Sequence, residues 1–407
     1  MTDIELQRAR LRAQVDIILR RLPGAATWPP GNTGTLDYLY RAERILVRDA
    51  DLDRVRNVVG GVVADALIHG VTALTPGDGD AQAALATIDG QLGVGVATPD
   101  HVLFVTPAGC CPATEPVPVA QHDPDPEVRH DPGSDGTGAL VSVVDSGYIA
   151  MLDNPQHSWL ADVTGDAEAF DPQDLGPYTG HGTFIAGIVR CAAPKAEVRV
   201  EGFLTNGGAV YESEIVRQLN DALDLMPDVI SLSAGTTTRG NSGLLSFQTW
   251  WENRLRHCSG TVLVAAAGND ASRRPFYPAA YDWAVSVGAL DRRGDRATFS
   301  NFGSWVDVYA LGVDMVNAFP KGTYKYKEPP NQGRSAFFAD EMASWSGTSF
   351  STPLVAGMIA ARMSRTGQSG RHAADSVLRI ARSHARPGVG PIADPSVIDD
   401  PDPAGVA

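Results

Sequence analysis

The sequence predicts an α/β fold: a doubly wound, mainly parallel sheet with a small N-terminal α+β domain in front of it. Three observations predict it. From residue 138 onward, strand-like and helix-like segments alternate. Several of those strands, such as ALVSVVD (139–145) and TVLVAAAG (261–268), are apolar on consecutive residues, as strands covered on both faces are. Residues 107–137 are rich in Pro, Asp and Gly and lack any period, which marks a linker between two units.

The elements follow in chain order. Residues 1–35 form a helical segment, with Ile4, Leu11, Val15, Ile18 and Leu22 in a stripe at helical spacing. Arg8, Arg12, Arg20 and Arg21 make its other side basic. Asp3, Glu5 and Asp16 interrupt that basic face, so a docking helix fits better than a membrane-surface helix. Residues 36–107 read as a compact α+β unit. RILV (44–47), ALIHGVTALT (66–75) and HVLFVT (101–106) are its strands; 51–62 and 80–93 are its helices. The linker spans 108–137. In 138–384 the strands are 139–145, 197–203, 228–234, 261–268, 283–290 and 306–310. The helices are 182–191, 211–225, 244–257, 349–364 and 372–383. Residues 385–407 read as an irregular tail.

Bulk properties narrow the function. The chain has 407 residues, with 43% hydrophobic and 20% charged, ordinary values for a globular protein. A net charge of −15 argues against nucleic acid as a partner. The first residues hold no uninterrupted apolar core, and no segment reaches transmembrane length without charges. Cys110, Cys111, Cys191 and Cys258 show no zinc-type spacing and read as reduced thiols. These readings together give a cytoplasmic protein with no metal and no cofactor.

In a doubly wound sheet, functional residues gather at the carboxyl ends of the strands. VSVVDSG places Asp145 there, where an aspartate either caps the next turn or does chemistry. HGTFIAGIV places His181 at the start of an apolar helix, structural or catalytic by itself. VLVAAAGN ends a strand with Gly268 and Asn269, usually turn residues. GTSFSTPLVAG opens a helix with hydroxyls, and capping is the plain reading of them. Together the four make a set. Acyl transfer by a hydroxyl needs a nucleophile, a base, a carboxylate to orient the base and an oxyanion donor. Ser349, His181, Asp145 and Asn269 supply one of each.

These motifs resemble those of the subtilisin-like serine peptidases (family S8). VVDSG resembles the family's Asp motif, HGTFIAG its His motif and GTSFSTPLVAG its Ser motif, in the order Asp, His, Ser. VLVAAAGN resembles the segment carrying the oxyanion Asn. The resemblance covers about 139–365. It implies a serine endopeptidase acting on a protein or peptide substrate, with Asp145, His181 and Ser349 as triad and Asn269 as oxyanion donor. It implies that Ser233, Ala234 and Gly235 pair with substrate backbone, and that Ala266, Ala267 and Gly268 wall the primary pocket. Thr348, Ser351 and Thr352 then read as capping and packing groups.

The sequence departs from the family in places. Phe184 stands where many relatives carry a second histidine, and Leu311 where proline is frequent. Residues 321–345 are long for the stretch before the serine motif; a lid, a specificity loop, a partner surface and a tolerated insertion all fit. Of Trp250 and Trp251, one reads as core and the other as an exposed partner contact. The 36–107 unit resembles the family's propeptide-like domain in element order and position. That implies a zymogen with its own N-terminal domain as intramolecular inhibitor and cleavage in the linker, or else a permanent regulatory domain. A catalytically silent scaffold is the alternative from another class.

Overall fold

The computed structural model describes residues 3–31, 36–105, 114–204, 208–397 and 399–402. Cys110, Cys111 and the first part of the linker fall outside them. Helix α1 (Asp3–Arg21) leads into the N-terminal sheet, made of β1 (Ala25–Trp28), β2 (Tyr38–Arg48), β3 (Val62–Ile68), β4 (Val71–Thr75) and β5 (Ala97–Val105). Helices α2 (Leu52–Val59) and α3 (Ala81–Gln91) pack on it. The single strand expected over 66–75 is two strands, β3 and β4, turning at His69–Gly70. Gly70 takes φ +101°, which permits so short a turn. Strand β1 has no counterpart in the sequence reading.

After β6 (Val117–Pro118), the second half supplies β7 (Leu140–Asp145), β8 (Thr164–Gly165), α4 (His181–Ala192), β9 (Glu197–Gly202), β10 (Ala209–Tyr211) and α5 (Glu212–Leu223). Then come β11 (Val229–Leu232), β12 (Ala234–Gly235), α6 (Leu245–Asn253), β13 (Val262–Ala266), β14 (Val285–Leu290) and β15 (Val308–Leu311). Strands β16 (Met315–Ala318), β17 (Gly322–Lys325), β18 (Ser335–Phe338) and β19 (Met342–Trp345) precede α7 (Thr348–Thr366) and α8 (Gly370–Ser383).

Seven strands form one parallel sheet in the order β15-β14-β13-β11-β7-β9-β8. Its two faces explain the consecutive apolar runs. Val141, Val143, Val229 and Val264 face a core with Ile185, Ile188, Leu354 and Met358 of α4 and α7. Val144, Ile230, Leu232 and Leu263 face a second core with Ile215, Leu219 and Trp250 of α5 and α6. Leu46, Leu67, Val71 and Leu103 of the N-terminal sheet share this second core, so the two halves are joined by apolar packing.

The joint is also a strand pairing. The end of β5 lies between β10 and β12, antiparallel to both: Phe104 stands opposite Ala209 on one side and Gly235 on the other. Helix α1 lies over this junction and buries Val15, Ile18 and Leu22 against Val102, Phe104 and Tyr211, the docking role its stripe predicts. Residues 321–345 become the β17–β18 hairpin and β19, which pairs with β16 and β6. Trp250 is fully buried, and Trp251 stacks on Trp283 at 5.9 Å rather than standing free. The tail has no helix or strand over its described residues, but it is held: Asp399 pairs with Arg129, and Asp402 with Arg379 at 2.6 Å. No described helix is long and apolar enough to cross a membrane.

Candidate active site

Strand β7 ends at Asp145, and α4 begins at His181. The approach between them is close: a Cβ on Gly182 would come within 2.5 Å of the Gly147 carbonyl, so only glycine fits. Asp145 Oδ1 lies 2.7 Å from His181 Nδ1 and accepts the Ser146 N–H at 2.8 Å. Asp145, His181, Asn269 and Ser349 are each no more than 3% exposed. Three rings cage the imidazole: Trp345 at 5.1 Å and Tyr178 at 6.1 Å edge-on, and Phe350 tilted at 5.4 Å. Phe184 packs behind them, 5.0 Å from Phe350 and 5.9 Å from Trp345, which gives that departure from the family a packing role.

Ser349 sits in the first turn of α7. Asn269 Oδ1 accepts the Thr348 N–H at 2.8 Å, so the side-chain amide is tied to the start of the helix that carries Ser349. The expected hydroxyl caps take other partners. Thr348 Oγ1 accepts the Gly268 N–H at 3.2 Å, and Thr352 Oγ1 donates back to the Thr348 carbonyl at 2.7 Å. Asn269, from another strand end, caps in their place. Ser349 Oγ is 3.5 Å from the Ser233 carbonyl and makes no hydrogen bond to His181, although both line one cavity. Catalytic hydrogen bonds are often long before substrate binds, so the separation does not disqualify the pair.

That cavity is small, about 30 Å³, the room of a single water. Besides His181, Ser349 and Phe350, it is lined by Ile17 of α1, Val105 of β5, Glu115, and Tyr324 and Glu328 of the insertion. Four segments distant from Ser349 in sequence thus meet over the candidate nucleophile. Glu115 accepts the Lys327 N–H at 2.6 Å, the Glu328 N–H at 3.2 Å and the Tyr324 hydroxyl at 3.1 Å. Arg10 Nε donates to the Pro329 carbonyl at 2.7 Å, and Gln14 to the Tyr178 hydroxyl. Burial pushes the Glu328 carboxyl up to about 8, helped by Glu115 and opposed by Arg10.

The remaining expected site residues are all buried. Ala234 and Gly235 pair with Val105 and Phe104, so the edge expected to take substrate holds the chain's own β5. Ser233 hydrogen-bonds the Ser349 carbonyl. Ala266 ends β13, and Ala267 and Gly268 follow it beside Asn301. No group of three or more His, Cys, Asp or Glu fit to hold a metal ion occurs among the described residues. Sequence reasoning missed Glu168. Burial and the Asp145 charge push its carboxyl up to about 8, against hydrogen bonds from Gly180 and Ser146. Asp162, Asp166, Asp171 and Asp174 surround Glu168 in the sequence, and nothing local distinguishes it from them.

A family model described as the subtilase family (Peptidase_S8) matches residues 136–384. Thermitase from Thermoactinomyces vulgaris is 34% identical over 248 residues, 58% of this chain and 78% of that protein. Subtilisin NAT from Bacillus subtilis subsp. natto is 31% identical over 252 residues, 58% of this chain and 58% of that protein. The crystal structure of fervidolysin from Fervidobacterium pennivorans, a keratinolytic enzyme related to subtilisin, is similar with a TM-score of 0.62 at 18% identity. That likeness, one of fold, covers 89% of this chain and 62% of the other, and so extends well beyond the family match. The chain thus spans most of thermitase but under two thirds of the other two.

Proposed function

The chain belongs to the subtilase family of serine endopeptidases, and from that premise we propose that it hydrolyses peptide bonds through Asp145, His181 and Ser349 and is kept latent by its N-terminal half. The observation that carries the reading is the 2.7 Å contact from His181 Nδ1 to Asp145 Oδ1, with Ser349 in the same cavity. In this mechanism Ser349 Oγ attacks the scissile carbonyl carbon while His181 Nε2 takes its proton. Asp145 fixes the tautomer and stabilises the imidazolium. The Asn269 amide and the Ser349 N–H hold the oxyanion. The imidazolium then returns the proton to the leaving amine. Water repeats the sequence on the acyl-enzyme and regenerates Ser349.

Latency is supported by what covers the site. Strand β5 occupies the Ala234–Gly235 edge, and α1, Glu115 and the insertion close the space above Ser349. A substrate strand would need that same edge. Release would follow cleavage within 107–137 and departure of the N-terminal half. Processing of a partner protein is the role that suits a protease held in this way.

The test is intact mass after treatment with a fluorophosphonate, before and after limited proteolysis in 107–137, with Ser349→Ala alongside. One adduct that appears after proteolysis and is lost in the variant supports both the triad and latency. An adduct on the uncut chain rejects latency alone. No adduct in either form rejects the triad and leaves a silent scaffold.

A further inference from the structure

We propose that Glu168 is a positioning residue for His181, a brace that fixes the start of α4 against the turn after Asp145. The inference rests on the triad reading above. Glu168 Oε1 accepts the N–H of Gly180, the residue before His181, at 3.0 Å. Glu168 Oε2 lies 3.0 Å from Ser146 Oγ, and Ser146 Oγ accepts the N–H of Gly182, the residue after His181, at 3.1 Å. Ser146 in turn donates its own N–H to Asp145 Oδ1, the oxygen that meets His181. His181 is therefore bracketed on both sides by one carboxyl and one hydroxyl that also hold its partner.

The brace is anchored. The Glu168 N–H donates to the Tyr148 carbonyl at 3.0 Å, and the Tyr148 N–H to the Asp166 carbonyl at 2.7 Å. Gly180 begins the helix at φ +76° and has no side chain to cap it, so Glu168 serves from outside. Burial pushes the Glu168 carboxyl up to about 8. The Ser146 hydroxyl donates to Oε2 while Oε1 accepts from Gly180. A glutamine has the same shape, keeps the Oε1 acceptor for the Gly180 N–H and bonds the Ser146 oxygen through its amide N–H, the hydroxyl turning to accept. What the residue contributes is geometry, and misplacing a catalytic base by about 1 Å can lower rate about 100-fold.

The experiment compares wild type, Glu168→Ala, Glu168→Gln and Ser146→Ala after limited proteolysis in 107–137. It measures kcat and KM on a peptide anilide, normalised by active-site titration, and the melting temperature. We expect Glu168→Ala to lose about 10- to 100-fold in kcat with KM within about twofold. Glu168→Gln returns to within about threefold of wild type. Ser146→Ala, which removes one hydroxyl, shows a smaller loss of the same kind and carries the test if Glu168→Ala does not fold. Wild-type kcat per titrated site in Glu168→Ala or, failing that, in Ser146→Ala overturns the brace. So does a glutamine no better than alanine. Absence of any Ser349 adduct in the wild type overturns the triad reading, and the brace with it.

Discussion

The Ser233 hydroxyl donates to the main-chain carbonyl of Ser349 at 2.9 Å. The reason for this bond lies four residues on. Pro353 is inside α7 and has no N–H to give the carbonyl at i−4, which is that of Ser349. The proline frees a buried acceptor, and Ser233, from the end of β11, satisfies it. The end of β11 and the first turn of α7 are thereby tied together.

Ser233→Ala leaves that carbonyl buried without a donor, a cost of about 1–3 kcal/mol. A lower melting temperature is expected, together with slower fluorophosphonate labelling of the proteolysed chain. The cause is separable. Pro353→Ala supplies an N–H to the same carbonyl, so Ser233→Ala should cost less in that background. A double-mutant cycle of denaturation free energies measures the difference. Equal costs in both backgrounds would rule out this account of the proline.

Asn269 has two ends with two jobs. Its Oδ1 accepts the Thr348 N–H at 2.8 Å, and its amide is the proposed oxyanion donor. Asn269→Asp keeps the first and removes the second. We expect it to melt within a few degrees of wild type while kcat falls about 10²–10³-fold, the loss found for such a donor in a member of this family. Asn269→Ala should lose kcat and also about 1 kcal/mol of stability with the cap. An aspartate variant with wild-type kcat removes Asn269 from the oxyanion site.

The sheet and its four candidate residues were legible because their signals are local. Val141, Val143 and Val144 fill both faces of β7, and the strand's end is written in Asp-Ser-Gly. The β3–β4 hairpin was not legible, since its turn is two residues long and the flanking apolar run continues through it. Glu168 was hidden for a different reason: only the fold brings it to Gly180 and Ser146. The cover over Ser349 was hidden most deeply. Arg10 meets Pro329 across 319 residues of sequence, and no periodicity reports such a contact.

That cover should yield to a single substitution. Arg10 is 8% exposed, bonds the Pro329 carbonyl and opposes the upward push of burial on the Glu115 and Glu328 carboxyls. Arg10→Ala removes both contributions from the closed state only. Glu115→Ala removes three bonds to the insertion. Each should speed fluorophosphonate labelling of the uncut chain by about tenfold, the equivalent of about 1.4 kcal/mol in the opening equilibrium. Labelling rates equal to wild type in both variants mean that the clasp does not limit access.

The same cover should loosen as pH rises. Closing raises Glu328 from 4.5 to about 8, chiefly by burial. At the joint between the halves, Asp100 accepts two bonds from Ser213, yet burial raises it from 3.8 to about 7. An acid raised in the closed state keeps a proton there that the open state has lost, so closing takes up protons across this window. The closed state is therefore fully favoured below about pH 4, weakens progressively as the pH rises to about 8, and changes no further above it. Hydrogen exchange over residues 10–21 of full-length Ser349→Ala reads this without interference from chemistry or self-cleavage. Protection, corrected for intrinsic exchange, should fall from pH 5 to pH 8. Glu328→Gln should flatten the upper part of that curve and Asp100→Asn the lower. Protection that rises with pH, or a curve that both amides leave unchanged, would show that these carboxyls do not govern the closure.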